Sequence, residues 1–177
     1  MKSVYLLTGL PGTGKTSLIK QAAAGAGLTV GGFYTEEIRE GGTRLGFRLV
    51  TLDGRTATLA HIDFDKRCRV GKYGVDVNSL ESVGVPALRD AAARCGLVIV
   101  DEIGKMELFS DAFRETVLSV IDSGKRVLGT VMLKADPFAD AIKSRDCVRV
   151  ITLTRAEAGK AREDIRRWLQ AEAAPAV

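Results

Sequence analysis

The sequence has little of what cross-links a chain, binds transition metals or spans a membrane. Its 177 residues include only three cysteines and one histidine. Cys68, Cys95 and Cys147 form no CxxC pair, so neither a disulfide framework nor a zinc site is indicated, and a reducing compartment is expected. No apolar run approaches the roughly 18 residues that a membrane-spanning helix needs. We therefore expect a cytoplasmic protein with no signal peptide and no membrane span.

A strong excess of one charge sign is also missing. Lys and Arg number 26 against 22 Asp and Glu, which gives a net charge of +4. This small excess suits a polyanionic ligand but does not establish nucleic-acid binding. The hydrophobic fraction of 46% and the charged fraction of 27% are those of an ordinary globular protein. We expect one domain over residues 1–177, a monomer, and no nucleic-acid surface.

Strand-like and helix-like segments alternate along the chain. Val4–Thr8 and Leu97–Val100 are apolar runs typical of buried parallel strands, and helical composition follows each of them. The alternation predicts a three-layer α/β fold with a mainly parallel sheet. Asp53-Gly54 predicts a β-hairpin inserted at about residues 38–60. The Gly- and charge-rich segment 61–77 is predicted to be a loop that closes over a ligand as a lid.

A phosphate-binding loop follows the first predicted strand and precedes a predicted helix. Residues 9–16 match the pattern GxxxxGK[ST] completely. Glycines let the backbone wrap around phosphate, and the following helix adds its positive N-terminal end. Lys15 adds a full charge toward the β and γ phosphates, while the Thr16 hydroxyl is a ligand for Mg²⁺. The residues predicted to bind the nucleotide are Gly9, Leu10, Pro11, Gly12, Thr13, Gly14, Lys15, Thr16 and Ser17.

Two acidic residues end the apolar strand that begins at Leu97. Asp101 comes directly after the run Leu97–Val100, at the edge of the sheet where ligands of α/β proteins bind. A carboxylate there is placed to hold Mg²⁺ together with Thr16. Glu102 is the next residue, and it is predicted to orient or deprotonate the water that attacks the γ-phosphate.

Long segments of the chain match one known family. The matching residues include 32–39, 50–54, 69–76 and 100–108, together with the phosphate-binding loop. The chain resembles the small P-loop nucleoside-triphosphatases first described from thermophiles, whose vertebrate member is called cancer-related nucleoside-triphosphatase. The resemblance implies a RecA-like core and Mg²⁺-dependent hydrolysis of ATP, GTP, CTP and UTP to diphosphate and phosphate, with broad tolerance of the base. It also implies that Glu102 acts on the attacking water.

Two further residues are candidates for the chemistry. Thr130 is near the end of the predicted strand 126–132, where its hydroxyl would contact the γ-phosphate or the water; an ordinary strand threonine is the alternative. Arg69 is in the basic segment 66–73, and it is predicted to stabilise the charge that develops during hydrolysis. A solvated basic loop is the alternative for that segment.

Two other functions stay open at this level. A nucleotide or small-molecule kinase would use the same loop and would need an acceptor pocket, which the hairpin and the segment 61–77 offer. A guanine-nucleotide switch would use Asp101–Gly104 as its DxxG pattern. Leu133 stands where such a switch has an asparagine that reads guanine, and Glu102 favours hydrolysis.

Overall fold

The computed structural model describes residues 2–65 and 67–171, which form one mixed sheet with helices on both faces. The strands are β1 Val4–Thr8, β2 Val30–Glu40, β3 Thr43–Thr51, β4 Thr56–His61, β5 Arg69–Val70, β6 Tyr73–Val75, β7 Leu97–Ile103, β8 Arg126–Val131 and β9 Val148–Thr152. The helices are α1 Lys15–Ala24, α2 Val77–Ser79, α3 Val85–Arg94, α4 Asp111–Asp122, α5 Pro137–Lys143 and α6 Ala158–Gln170. A π-helical segment, Leu80–Gly84, joins α2 to α3, and a 3₁₀ turn, Glu107–Phe109, precedes α4.

The parallel part of the sheet forms the core of the fold. Its order is β2-β7-β8-β1-β9, and each of these neighbouring pairs is parallel. The strand before the phosphate-binding loop, β1, is therefore separated from the acidic strand, β7, by β8. This arrangement agrees with the RecA-like core that the resemblance implies, and it makes β8 the strand that reaches both functional segments.

An antiparallel extension continues the sheet beyond β2. Residues 30–33 of β2 pair with β7, and residues 33–40 pair with β3. The hairpin predicted at about 38–60 is thus a continuation of a long core strand, followed by β3 and β4. The segment 61–77 is not a plain loop, because β5 and β6 form a small hairpin within it and β6 pairs with β4. Closure of this segment over a ligand stays a prediction. Lys66, the first residue of the basic segment 66–73, lies outside the described residues.

Helices cover both faces of the parallel sheet. One apolar cluster joins alternate residues of β1, β7 and β8 to α3, α4 and α5, and it includes Leu6, Val98 and Phe113. The other joins the opposite residues of these strands to α1 and α6, where the Trp168 ring stacks on Tyr5 at a centroid distance of 4.2 Å. The predicted three-layer α/β architecture is confirmed. Among the described residues, no helix has the length and apolarity needed to cross a membrane.

The helical region before β7 differs from its sequence pattern. Asn78 and Glu81 have the spacing of a capping box and predict a helix start at Asn78. In the structure, Asp76 is the capping residue: its carboxylate accepts hydrogen bonds from the backbone N–H and the hydroxyl of Ser79. A break at Gly84 and Pro86 is also predicted, yet the chain stays helical through both residues. The π-helical segment ends at Gly84, and Pro86 lies in the first turn of α3, where a missing N–H is tolerated.

Glycine is required where β2 meets β7. Gly32 has a φ of +102°, and a Cβ atom at this position would lie 2.0 Å from the backbone oxygen of Ile99. A larger residue would therefore combine backbone strain with a clash that involves backbone atoms, which cannot move aside as a flexible side chain can.

We predict that Gly32→Ala destabilises the protein more than Gly41→Ala does. Gly41 also has a positive φ, +54°, but a Cβ there would meet no atom within 4 Å. The strain of the left-handed region costs about 1–2 kcal/mol at either site, and the clash adds about 1–3 kcal/mol at Gly32 alone. Urea unfolding of both variants measures the difference. Equal losses of stability would contradict the close approach of β2 to β7.

Candidate nucleotide and metal site

The phosphate-binding loop is held open by glycines. Gly9, Gly12 and Gly14 all have positive φ angles, which non-glycine residues rarely adopt. Gly9 is further constrained, since a Cβ atom there would lie 2.6 Å from the backbone oxygen of Leu153, just after β9. The loop is therefore shaped both by its own backbone and by the neighbouring strand.

Helix α1 begins at Lys15, so the last two residues of the loop are the first two of the helix. Gly14 precedes the helix and offers no side-chain cap to its first N–H groups, which leaves them suited to bind an anion. The Lys15 ammonium donates hydrogen bonds of 2.9 Å to the backbone oxygens of Gly9 and Leu10. The cation is thus held at the mouth of the loop. Leu10 is 66% exposed there.

Asp101 joins three elements at the carboxyl edge of the sheet. Thr16, in the first turn of α1, donates a hydrogen bond of 2.7 Å to Asp101 Oδ2. Thr130 on β8 donates one of 2.5 Å to Asp101 Oδ1. The backbone of Thr35 on β2 is close enough to this carboxyl group to lower its pKa. Both oxygens of Asp101 are therefore hydrogen-bonded, as a buried carboxylate requires.

Burial has an electrostatic cost at Asp101. The residue is 2% exposed, and burial raises the pKa of its carboxyl group above the ordinary value. The hydrogen bonds from Thr130, Thr16 and the Thr35 backbone act in the opposite direction, as does the Lys15 charge. Positive charge that enters the site would further favour the ionised form of Asp101.

The pair Thr16 and Asp101 has the chemistry of a magnesium site. Both present oxygen atoms, which Mg²⁺ prefers, and the two side chains already meet. Within residues 2–65 and 67–171, no three His, Cys, Asp or Glu side chains form a metal-binding group. One carboxylate with one hydroxyl fits a cation that takes its remaining ligands from phosphates and water.

Glu102 is next to this pair, where β7 loses its regular register with β8 between Val100 and Ile103. Its carboxyl oxygen Oε1 lies close to the backbone of Gly104: a Cβ atom at Gly104 would be 2.9 Å from this oxygen. Burial raises the pKa of Glu102, the Asp101 charge raises it further, and Lys15 lowers it. Glu102 is thus a partly buried carboxyl group close to both Asp101 and Lys15, which suits a group that exchanges a proton with water.

A third carboxyl group, Glu107, was not predicted as functional from the sequence. It lies in the 3₁₀ turn after β7 and is 4% exposed. Burial raises its pKa well above the ordinary value, and the Glu102 charge adds to this, while the backbone N–H groups of Glu107 and Gly104 lower it. The spacing of Glu107 from Glu102 suggests only a solvated turn, so nothing in the local sequence indicates its burial.

Arg69 and Thr130 have different surroundings. Thr130 is 1% exposed and contacts Asp101, so the structure brings it into the predicted metal pair. Arg69 is exposed on β5 and lines a cavity together with Lys105 and Arg114. Its predicted contact with phosphate stays a prediction, as do the nucleotide contacts of the loop residues through Ser17.

The known proteins that this chain resembles in sequence and in structure belong to one family. A family model described as NTPase matches residues 4–166. The nucleoside-triphosphatase THEP1 of Thermotoga petrophila is 52% identical over 148 residues, which cover 84% of this chain and 82% of that protein. The human cancer-related nucleoside-triphosphatase is 41% identical over 165 residues, covering 84% and 87%. The crystal structure of THEP1 from Aquifex aeolicus superposes with a TM-score of 0.85 at 33% identity, covering 95% of this chain and 99% of that one.

We predict that Glu107→Gln raises the free energy of unfolding of the ligand-free protein, and that this gain grows as the pH rises. Because the pKa of Glu107 is raised on folding, the folded state binds its proton more tightly than the unfolded state, and stability falls as the pH rises from the ordinary carboxyl pKa through the raised one. Glutamine removes this loss. We expect a gain on the order of 1 kcal/mol at pH 8 that shrinks toward pH 5 in urea unfolding. The exposed Glu115→Gln is the control, and a gain independent of pH would contradict the assignment.

Proposed function

Because the chain belongs to the nucleoside-triphosphatase family and is an enzyme that hydrolyses nucleoside triphosphates, we propose that its reaction depends on Mg²⁺ and tolerates different bases. The observation that carries this proposal is the hydrogen-bonded group of Thr16, Asp101 and Thr130, with Glu102 adjacent to it in the chain. It joins the phosphate-binding loop to a carboxylate pair at one edge of the sheet.

Binding of the triphosphate uses the loop and the start of α1. Its backbone N–H groups and the helix end bind the phosphate oxygens. Lys15 exchanges the backbone oxygens of Gly9 and Leu10 for oxygens of the β and γ phosphates, which are stronger acceptors because they are charged. These contacts involve only the triphosphate, which supports tolerance of ATP, GTP, CTP and UTP.

Thr16 and Asp101 would hold the cation, and Thr130 fixes Asp101 through the other carboxylate oxygen. The chemistry that a bound Mg²⁺ would supply is neutralisation of the negative charge of the triphosphate during hydrolysis. Thr130 is therefore a positioning residue, since it acts through Asp101.

Glu102 acts on the water that attacks the γ-phosphate. As base, its carboxylate accepts a proton from the water, the oxygen forms a bond to phosphorus, and the bond to the β-phosphate oxygen breaks. The products are nucleoside diphosphate and phosphate. Burial beside Asp101 makes Glu102 a better proton acceptor than an exposed glutamate. Arg69, which is exposed on β5, is the cation that we propose for the developing charge.

We expect Glu102→Gln to lower the rate of phosphate release by about 10²–10⁴-fold while nucleotide affinity changes little. Glutamine keeps the size of the side chain but cannot accept the proton. Phosphate release is measured with Mg²⁺ and each of ATP, GTP, CTP and UTP, and binding by equilibrium titration. Glu115→Gln is the matched control, and chelation of Mg²⁺ should stop release.

The same experiment separates the alternatives. Comparable release from all four triphosphates, lost in Glu102→Gln, is the expected result. Release from GTP alone would indicate a guanine-nucleotide switch. Tight binding with negligible release would indicate a kinase that lacks its acceptor, and undiminished release by Glu102→Gln would reject the assigned base.

We predict that Thr130 lowers the Mg²⁺ requirement through its contact with Asp101. Thr130→Val preserves the shape of the side chain but removes the hydrogen bond to Asp101 Oδ1. We expect the Mg²⁺ concentration for half-maximal phosphate release to rise by about 10-fold, because groups that orient a ligand typically contribute 10–100-fold to metal affinity. Thr130→Ser, which keeps the hydroxyl, should stay close to the parent protein. An unchanged Mg²⁺ requirement in Thr130→Val would mean that Asp101 is positioned without Thr130.

A further inference from the structure

The cavity that Arg69, Lys105 and Arg114 line lies at the same edge of the sheet as Asp101 and Glu102. It has a volume of about 350 Å³ and lies between the β5–β6 hairpin, the turn after β7 and the first turns of α4. Asp136, which caps α5 after β8, closes one side. Ligands of open α/β sheets bind at this carboxyl edge, and the volume suits a small molecule.

Three cations line this cavity. Arg69 and Lys105 are exposed, and in the part of the chain that the structure describes neither side chain makes an ion pair or a hydrogen bond. Arg114 is fixed, since its Nε donates a 2.9 Å hydrogen bond to the Leu108 backbone oxygen. The carboxylate of Asp136 already accepts hydrogen bonds from the backbone N–H groups of residues 138 and 139. The cavity therefore favours an anion.

The remaining walls are apolar. Val70 and Leu108 face the cavity, and Phe109, which is 42% exposed, lies in the same lining. A large exposed aromatic side chain beside cationic groups suits a ligand that carries both a ring and a charged group. Inorganic phosphate alone would leave this apolar surface in contact with water.

One segment of the chain, the turn after β7, both lines the cavity and follows Glu102 closely. Lys105, Leu108 and Phe109 belong to the segment that follows Glu102, and the same segment carries the buried Glu107. A molecule in the cavity would thus lie next to the proposed hydrolytic site. It would contact none of the residues of the phosphate-binding loop, and Arg69 is the one residue that it would share with the proposed reaction.

We propose that this cavity is a second ligand site, which binds a small compound with an aromatic or apolar body and one phosphate or carboxylate group. The cationic residues bind the anionic group, and Leu108 and Phe109 contact the body. This site goes beyond the proposed function, because its ligand binds while the phosphate-binding loop is occupied.

Phenyl phosphate and benzoate are suitable probes, since each combines one ring with one of the two anionic groups. Their binding is measured by calorimetry on the full chain saturated with ADP and Mg²⁺, with inorganic phosphate for comparison. We expect at least one aromatic probe to bind about 10-fold more tightly than inorganic phosphate, and the tighter one identifies the anionic group that is preferred.

The variant Arg69→Ala/Lys105→Ala should weaken this binding by about 10-fold or more. Arg67→Ala/Lys72→Ala is the matched control: it removes the same charge from the same part of the surface, and its residues do not line the cavity. Equal weakening in both variants, no binding of either probe, equally tight binding of inorganic phosphate, or displacement of the probe by ADP would each overturn the proposal. The binding readout needs no hydrolysis, so failure of the proposed function would show separately as absent phosphate release.

Discussion

The buried carboxylate of Asp101 is the constraint on which the site depends. It is 2% exposed, and an unpartnered charge at such a position would cost several kcal/mol. Hydrogen bonds from Thr16 on α1 and Thr130 on β8 satisfy its two oxygens. Because these donors come from separate elements, the contact fixes the start of α1 and the ends of β7 and β8 relative to one another. The phosphate-binding loop, which ends at Thr16, is therefore positioned by the acidic strand.

Carboxyl groups with raised pKa values are concentrated around Asp101. Asp101, Glu102 and Glu107 come within one short segment, and burial raises the pKa of each. Lys15 is the nearby cation that opposes this for Asp101 and Glu102. Such a site favours the arrival of positive charge and makes a proton more readily held by Glu102 than it would be in water. The cost to stability is consistent with the general finding that functional sites depart from the most stable arrangement.

The distant parts of the chain contribute by covering this edge of the sheet. The antiparallel extension begins as the outer half of β2, whose inner half pairs with β7. It brings the β5–β6 hairpin to the turn after β7, where Arg69, Lys105 and Arg114 line one cavity. These residues come from β5, the turn and α4, so their proximity results from the path of the sheet. The kinase alternative requires a pocket of this kind, and hydrolysis does not exclude a second ligand there.

The α/β class, the phosphate-binding loop, the family and the acidic pair could all be predicted from the sequence. Each of these depends on contiguous residues whose spacing has a local physical cause: glycines for a loop with positive φ, apolar runs for buried strands. Contacts between residues that are distant in the chain could not be predicted in this way, because they depend on how the strands and helices pack. The contact of Thr130 with Asp101 requires β8 to lie beside β7. The burial of Glu107 requires the packing of the turn before α4. The helix is capped by Asp76 and not by Asn78, because the helix begins at Val77 in the folded chain. A pattern of residue types contains no information on which strand becomes a neighbour, and long-range pairing alone supplies it.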